Sequence, residues 1–167
     1  MIFVLLFTML FSTCLAAPTS ISPSYSVAVG IGSGTAFATE GKGRITAIRV
    51  WEISRSFIGS LQLCYDYICP DKFGNSPGTL QEMELYEDET IVQVSGKHSS
   101  YIYQLVFVTS HGRFLSAGNP MGLSFSFFPK DPRAGLLMLS GRYNRYGITS
   151  VAAHWGEVVS NINTDGR

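Results

Sequence analysis

Short apolar runs recur along this chain about every ten residues, separated by turns rich in Gly, Pro and Ser, and that rhythm limits the fold more than any other feature. The runs are Ile45 to Val50, Ile58 to Tyr65, Thr90 to Val94, Tyr101 to Val108, Phe114 to Ser116, Leu123 to Phe127, Leu136 to Ser140 and Ile148 to Trp155. Several alternate with the period of a strand. Leu123, Phe125 and Phe127 fall on one side, Ser124 and Ser126 on the other. Tyr101, Tyr103, Leu105 and Phe107 oppose Ile102, Gln104, Val106 and Val108, so this strand is expected to be buried on both faces near its end. No window carries the three-and-four apolar spacing of a helix. The expectation is an all-β sandwich, barrel or prism.

Two segments echo each other. Val94-Ser95-Gly96-Lys97-His98 leads into Tyr101 to Val108, and Leu139-Ser140-Gly141-Arg142-Tyr143 leads into Ile148 to Trp155. Each reads as a strand end, a Ser-Gly-basic turn, a polar loop and a second strand. A repeated β unit would present similar loops on a rigid scaffold, where binding residues tend to sit. Chance recurrence of ordinary turn chemistry is the alternative.

Ile2 to Ala16 is one uncharged apolar run with small residues before a cut after Ala16, the pattern of a secretory signal peptide. It is shorter than the ~20 residues that cross a bilayer, and no other segment reaches that length. The expected organisation is a signal peptide at 1–16, a flexible Ser/Pro lead at 17–24, one domain at 25–156 and a polar tail at 157–167. The chain is therefore read as secreted, with no transmembrane segment. Its 12 basic and 12 acidic residues cancel. That balance argues against nucleic acid as a partner, because phosphate binding wants a basic surface. Beyond the signal peptide only Cys64 and Cys69 remain. A hairpin around Tyr65-Asp66-Tyr67-Ile68 would bring them face to face, so a disulfide is expected. Two cysteines alone cannot fill a tetrahedral zinc site. There is no Asn-x-Ser/Thr sequon.

Catalysis would need a nucleophile with a base, or paired carboxylates about a bond. The acids cluster at Glu82, Glu84, Glu87, Asp88 and Glu89, where Glu82 and Glu84 share the outer face of a strand. That reads as a solvated face. The three histidines fit no metal spacing: His98 and His111 fall in turns, and His154 reads as a satisfied core residue beside Trp155. Gly30, Gly32 and Gly34 form a Gly-x-Gly-x-Gly string without the following helix that a phosphate cradle needs. The chain is read as a non-enzyme without cofactor or metal.

The run Ile91-Val92-Gln93-Val94-Ser95-Gly96-Lys97, with Leu105-Val106-Phe107-Val108-Thr109 and Gly112-Arg113-Phe114-Leu115-Ser116, resembles the zymogen granule protein 16 family of animal jacalin-related lectins. Ile45-Thr46-Ala47-Ile48-Arg49-Val50, Ser140-Gly141-Arg142 and the His154-Trp155 ending extend the likeness from about Tyr25 to Trp155. The resemblance implies a β-prism I (jacalin-like) fold: three four-stranded Greek-key sheets with pseudo-threefold symmetry. It implies secretion from granule-bearing cells and storage in secretory granules. It also implies a hexose site at one end of the prism, between the Gly-rich loop around Gly32 to Thr35 and the loop Tyr143 to Thr149. There, backbone N–H groups would meet sugar hydroxyls and one aspartate would hold two of them.

This chain departs at that aspartate. The alignment places Thr149 there, behind the bulky loop Arg142-Tyr143-Asn144-Arg145-Tyr146-Gly147. Gly141-Arg142-Tyr143 and Gly147-Ile148-Thr149-Ser150 look like the family branch that lacks the carboxylate and is linked more to protein partners. Charge-assisted hydrogen bonds contribute about 1.5–3 kcal/mol each, so the loss should cost on the order of one to two decades of affinity. The expected carbohydrate contacts are Gly34, Thr35, Arg145, Tyr146, Gly147 and Thr149, with Lys97, His98 and Arg142 as further basic contacts that could converge at one end. Tyr143 and Tyr146 could stack on a sugar face, or simply pack the loop. Mannose-type or sulfated glycans and glycoproteins are the expected partners. The alternative is a protein receptor or granule matrix on the same fold with a degenerate sugar site.

Overall fold

A computed structural model describes residues 20–74 and 77–159. The expected signal peptide at 1–16 and the tail beyond residue 159 lie outside the described residues. Among the described residues there are twelve strands: β1 (Ser24–Tyr25), β2 (Val29–Gly30), β3 (Thr35–Ala38), β4 (Ile45–Glu52), β5 (Ile58–Tyr65), β6 (Thr79–Glu84), β7 (Ile91–His98), β8 (Ile102–Thr109), β9 (Phe114–Gly118), β10 (Leu123–Phe127), β11 (Gly135–Tyr143) and β12 (Ile148–Gly156). All pairings between them are antiparallel.

The three sheets repeat one topology. β7 to β10 lie in the order β10-β7-β8-β9, the fourth strand returning beside the first as in a Greek key. In the terminal sheet β1 and β2 both pair with β12 and act as one interrupted edge strand, giving β3-β11-β12-β1/β2. The remaining sheet, β6-β4-β5, is completed by a single bridge in which Phe73 and Leu61 exchange both backbone hydrogen bonds. Three Greek keys pack their inner faces into one core with Ile48, Leu61, Leu105, Phe107, Leu139 and Trp155 fully buried. This is the β-prism that the resemblance implies, with one of its twelve strands worn down to a bridge.

The symmetry is written in glycines. Gly30, Gly74 and Gly118 each have positive φ, and a Cβ on any of them would stand 2.1 to 2.3 Å from a carbonyl oxygen of the neighbouring strand. Four residues later Gly34, Gly78 and Gly122 meet the carbonyls of Tyr143, Glu52 and His98 in the same way. The interval from one pair to the next is constant along the chain.

The Ser-Gly-basic segments are not turns, as their composition suggested, but lie inside β7 and β11. Gly96 sits opposite Phe125 and Gly141 opposite Phe37 in register. A Cβ there would reach within 1.9 and 2.0 Å of the Gln104 and Ser150 carbonyl oxygens. The echo thus marks a glycine over which an inward aromatic of the fourth strand folds.

Cys64 and Cys69 form the expected disulfide. Between them Asp66 and Tyr67 both adopt positive φ, as a tight two-residue hairpin demands. In β8, Leu105 and Phe107 are buried and Val106 and Val108 half-buried, so burial on both faces is partial. His98 ends a strand rather than lying in a turn, and it is half-buried. His111 is exposed and pairs with Asp88 at 3.3 Å. His154 accepts or donates to Ser140 Oγ at 2.8 Å on the outer face, so it is satisfied without being in the core. Glu82 and Glu84 are exposed outside Met83 and Leu85, as expected, but Glu89 is buried. Arg113 grips it through Nε at 2.9 Å and stacks on Tyr86 at 4.2 Å. That guanidinium holds the Glu89 carboxyl down to about 2.

Candidate functional site

The two loops singled out in the sequence meet at one end of the prism. The β11–β12 loop is a closed turn built on Asn144: its Oδ1 accepts from the N–H groups of Tyr146 at 2.9 Å and Gly147 at 3.3 Å, and its own N–H donates to Gly147 O at 3.0 Å. Asn144 Nδ2 also donates to the Tyr101 hydroxyl at 3.3 Å, and Tyr101 stacks on Phe57 with centroids 4.2 Å apart. The loops of all three sheets therefore touch, and the β11–β12 loop is held by side chains from the other two.

Against it lies the Gly-rich loop from Ile31 to Gly34. Gly34 passes so close to β11 that any Cβ would fall 2.2 Å from Tyr143 O. Arg142 Nη1 donates to Gly34 O at 2.9 Å. Thr149, wholly buried, closes the joint: its Oγ1 lies 2.6 Å from Ser33 O and 3.1 Å from Arg142 O. A hydroxyl has one proton to give, and here a main-chain carbonyl takes it. In this arrangement Thr149 works as a cross-link between the loops and offers no donor outward.

Other groups do face solvent. Among the described residues the N–H groups of Ser33, Gly34 and Arg145 have no protein acceptor. Thr35 and Arg145 are exposed, and Gly147 is buried against Phe57. Tyr146 is 49% exposed with the Arg145 guanidinium over its ring at 4.5 Å. Tyr143 instead turns inward, because strand alternation puts it on the side of Leu139, and its ring packs 6.2 Å from Phe37. Only Tyr146 is left as a stacking surface.

Lys97 and Arg142 occupy matching places in their sheets, but Lys97 lies on the β7 ladder between Gln104 and Ser124, while Arg142 belongs to the terminal sheet. His98 packs 6.0 Å from Phe125 with its Nδ1 buried and unbonded. The basic residues share an end of the prism but project from separate sheets. Sequence reasoning missed Ser33 and Asn144. The Asn-x-x-Gly spacing of Asn144 and Gly147 was the available signal for the second. No group of His, Cys, Asp or Glu among the described residues is placed to hold a metal ion.

The fold is a β-prism in which loops of all three sheets cluster at one end. Residues 26–154 match the jacalin-like lectin domain family. The chain is 39% identical over 148 residues to zymogen granule membrane protein 16 of Rattus norvegicus, covering 87% of each chain. It is 39% identical over 137 residues to the Homo sapiens protein of that name, covering 80% of this chain and 81% of the other. Among solved structures, a prostate-specific glycoprotein lectin superposes with a TM-score of 0.70 at 26% identity, over 80% of this chain and 98% of that one. Artocarpin complexed with methyl-α-mannose superposes with a TM-score of 0.69 at 18% identity, over 80% and 97%. This chain belongs to the jacalin-like lectin family, whose members are carbohydrate-binding proteins and not enzymes.

Proposed function

We propose that this is a secreted lectin that holds mannose-type or sulfated glycans weakly at the end of the prism, between Gly32 to Thr35 and Tyr143 to Thr149. The observation that carries the reading is the pair of interlocked loops presenting the acceptor-free N–H groups of Ser33, Gly34 and Arg145 beside an exposed Tyr146. Main-chain donors can take sugar hydroxyls, and the tyrosine ring can cover an apolar sugar face. Arg142 and Arg145 add charge for a sulfate group. Secretion is supported by the apolar leader at 1–16 and by a disulfide that needs an oxidising compartment. Storage in secretory granules is supported by the relatives named for zymogen granules.

Amide NMR during titration with methyl α-mannoside and with sulfated oligosaccharides tests this reading. Shifts at Ser33, Gly34, Arg145 and Tyr146 with millimolar dissociation constants are expected. Silence at those amides with every glycan sinks it. The inward-turned Thr149 hydroxyl favours a second reading, in which the sugar site has closed and the Arg145-Tyr146 loop contacts a protein receptor or granule matrix. Thr149→Asp separates the two: mannose binding that appears only in this variant shows the native site closed to mannose.

A further inference from the structure

Between Lys72 and Lys97 the chain has no basic residue, and it carries there Glu82, Glu84, Glu87, Asp88 and Glu89 with Tyr86 in their midst. The segment leaves β6 and turns into β7 at the end of the prism away from Gly34 and Tyr146. Strand alternation buries Met83 and Leu85 and turns Glu82, Glu84 and Tyr86 outward. Tyr86 is 57% exposed, and among the described residues its hydroxyl has no hydrogen-bond partner. Glu82 is paired with Arg49, Asp88 with His111, and Glu89 is buried against Arg113. Glu84 and Glu87 are exposed and have no ion-pair partner among the described residues. Basic groups from other parts of the chain reach Tyr86 without touching its hydroxyl. Arg113 lies over the ring at 4.2 Å, and Arg44 Nη1 donates to Tyr86 O at 2.9 Å.

No other tyrosine combines these properties. Tyr65 is buried, Tyr143 turns inward and Tyr103 is half-buried. The hydroxyls of Tyr67, Tyr101 and Tyr146 are taken by Arg44, Asn144 and Arg145. Tyr25 is exposed, but no acid lies within ten residues of it on either side.

We propose that Tyr86 is a sulfation site, modified by a secretory-compartment enzyme that takes its sulfuryl group from a nucleotide phosphosulfate. The phenol oxygen attacks the sulfur, and the new O–S bond forms as the bond from sulfur to the phosphate-bridging oxygen breaks. The nucleotide leaves with that oxygen, and the phenolic proton passes to a base of the transferring enzyme. No electrons change hands. An enzyme with a basic surface around its cleft is drawn to this acidic segment and to no other exposed tyrosine in the chain. The ester carries a negative charge at every physiological pH. Glu87 and Asp88 repel that charge, while Arg113 and Arg44 bracket the residue and offset it. A phosphoryl group would suit the same hydroxyl. The disulfide and the apolar leader favour sulfate, because they direct the chain through an oxidising secretory route. The proposal therefore rests on the secretion reading, and it is independent of the glycan site.

The test has two arms. The full chain is expressed with labelled inorganic sulfate in cells of proven tyrosine-sulfating activity, and the protein is collected from the medium. The purified, disulfide-bonded chain is also incubated with a tyrosine sulfotransferase and the nucleotide phosphosulfate. In both arms the peptide containing Tyr86 should gain the mass of one SO3 group, which alkaline phosphatase leaves in place. Tyr86→Phe keeps the ring under Arg113 and should abolish incorporation, while Tyr25→Phe should not change it. The variant Glu84→Gln/Glu87→Gln/Asp88→Asn alters only exposed acids and should lower incorporation by roughly tenfold or more. A chain that never reaches the medium sinks the secretion reading, and the purified arm then decides whether Tyr86 is a substrate. Medium-derived protein without sulfate on Tyr86 overturns the proposal. So does label that survives Tyr86→Phe, or an added mass that phosphatase removes.

Discussion

Replacing Thr149 by valine keeps nearly the same volume and removes only the hydroxyl that joins the two loops. The structure gives the cost. Oγ1 is wholly buried and serves the carbonyls of Ser33 and Arg142 at 2.6 and 3.1 Å, and with one proton it makes one full hydrogen bond at a time. Ser33 is exposed, so its carbonyl can turn to water once freed, whereas Arg142 O lies within the β11–β12 register. One lost bond plus one partly stranded acceptor is about 1–2 kcal/mol. For a domain of this size that lowers Tm by roughly 3–8 °C. Thr149→Asp should cost more, about 2–4 kcal/mol, because a carboxylate can only accept and would face two carbonyls. It must swing outward, and the Gly-rich loop must loosen with it. Calorimetric or near-UV melting of the three proteins provides the stabilities, and hydrogen exchange at Gly32 and Ser33 provides the loop. A valine variant that melts with the parent and protects the loop equally would refute the cross-link, and with it the reason for calling the native pocket closed.

Other consequences follow from packing and charge. Tyr65→Phe removes a buried hydroxyl bonded to Thr39 Oγ1 at 3.1 Å and to Leu137 O at 3.1 Å, whose burial lifts its pKa to about 12; a loss of about 1–3 kcal/mol in urea unfolding is expected. Gly141→Ala puts a Cβ 2.0 Å from Ser150 O and 3.0 Å from the Phe37 ring, so a Tm loss of more than about 5 °C is expected, against a shift of under about 2 °C for Ser140→Ala on the outer face. Glu89 has a folded pKa near 2, below its ordinary value of 4.5, so the unfolded chain takes up the proton first as pH falls. The stability it contributes is complete above pH of about 4.5 and is lost as pH drops toward 2; Glu89→Gln should flatten that part of a stability–pH curve. Reducing Cys64–Cys69, which closes a short loop, should lower stability by about 2 kcal/mol, read from urea midpoints with and without reductant.

Much of the fold was legible because its rules are local. Ile58 to Tyr65 and Leu123 to Phe127 have the strand limits that alternation gives them, and the hairpin at Asp66 and Tyr67 follows from cysteine spacing. β1 to β3 were not legible, since a stretch from Val29 to Phe37 that is dense in glycine lacks strand propensity, and it pairs only because β11 and β12 offer ladders from the far end of the chain. Glu89 misled for a related reason: it reads as one acid among five, and only the return of Arg113 from the β8–β9 turn makes its burial tolerable. The candidate site was half legible. The two loops could be named from a resemblance, but the direction of the Thr149 hydroxyl depends on where Ser33 O comes to rest, which no local pattern encodes.

That division says where function can be sought in this protein. The glycines at 30, 74 and 118, and again at 34, 78 and 122, carry the geometry, and their identity repeats because a Cβ at each would strike a neighbouring strand. Between them the fold asks for little, and the chain uses Ile-Gly-Ser in one loop and Asn-Pro-Met in another. A residue that differs between positions under the same backbone constraint is under some other constraint, or under none. Exposed Met121 and Leu123 are unfavourable in water and unneeded by the fold, so the second alternative would let them drift to polar residues. Thr149 points the same way from the opposite side, a polar group spent inside where the resemblance leads one to expect a group facing out. If the loop end had no partner, exchanging the loop sequences, with Ser33 and Thr35 copied onto 121 and 123, would change nothing measurable beyond stability, and glycan titrations of the exchanged chain would overlay those of the parent.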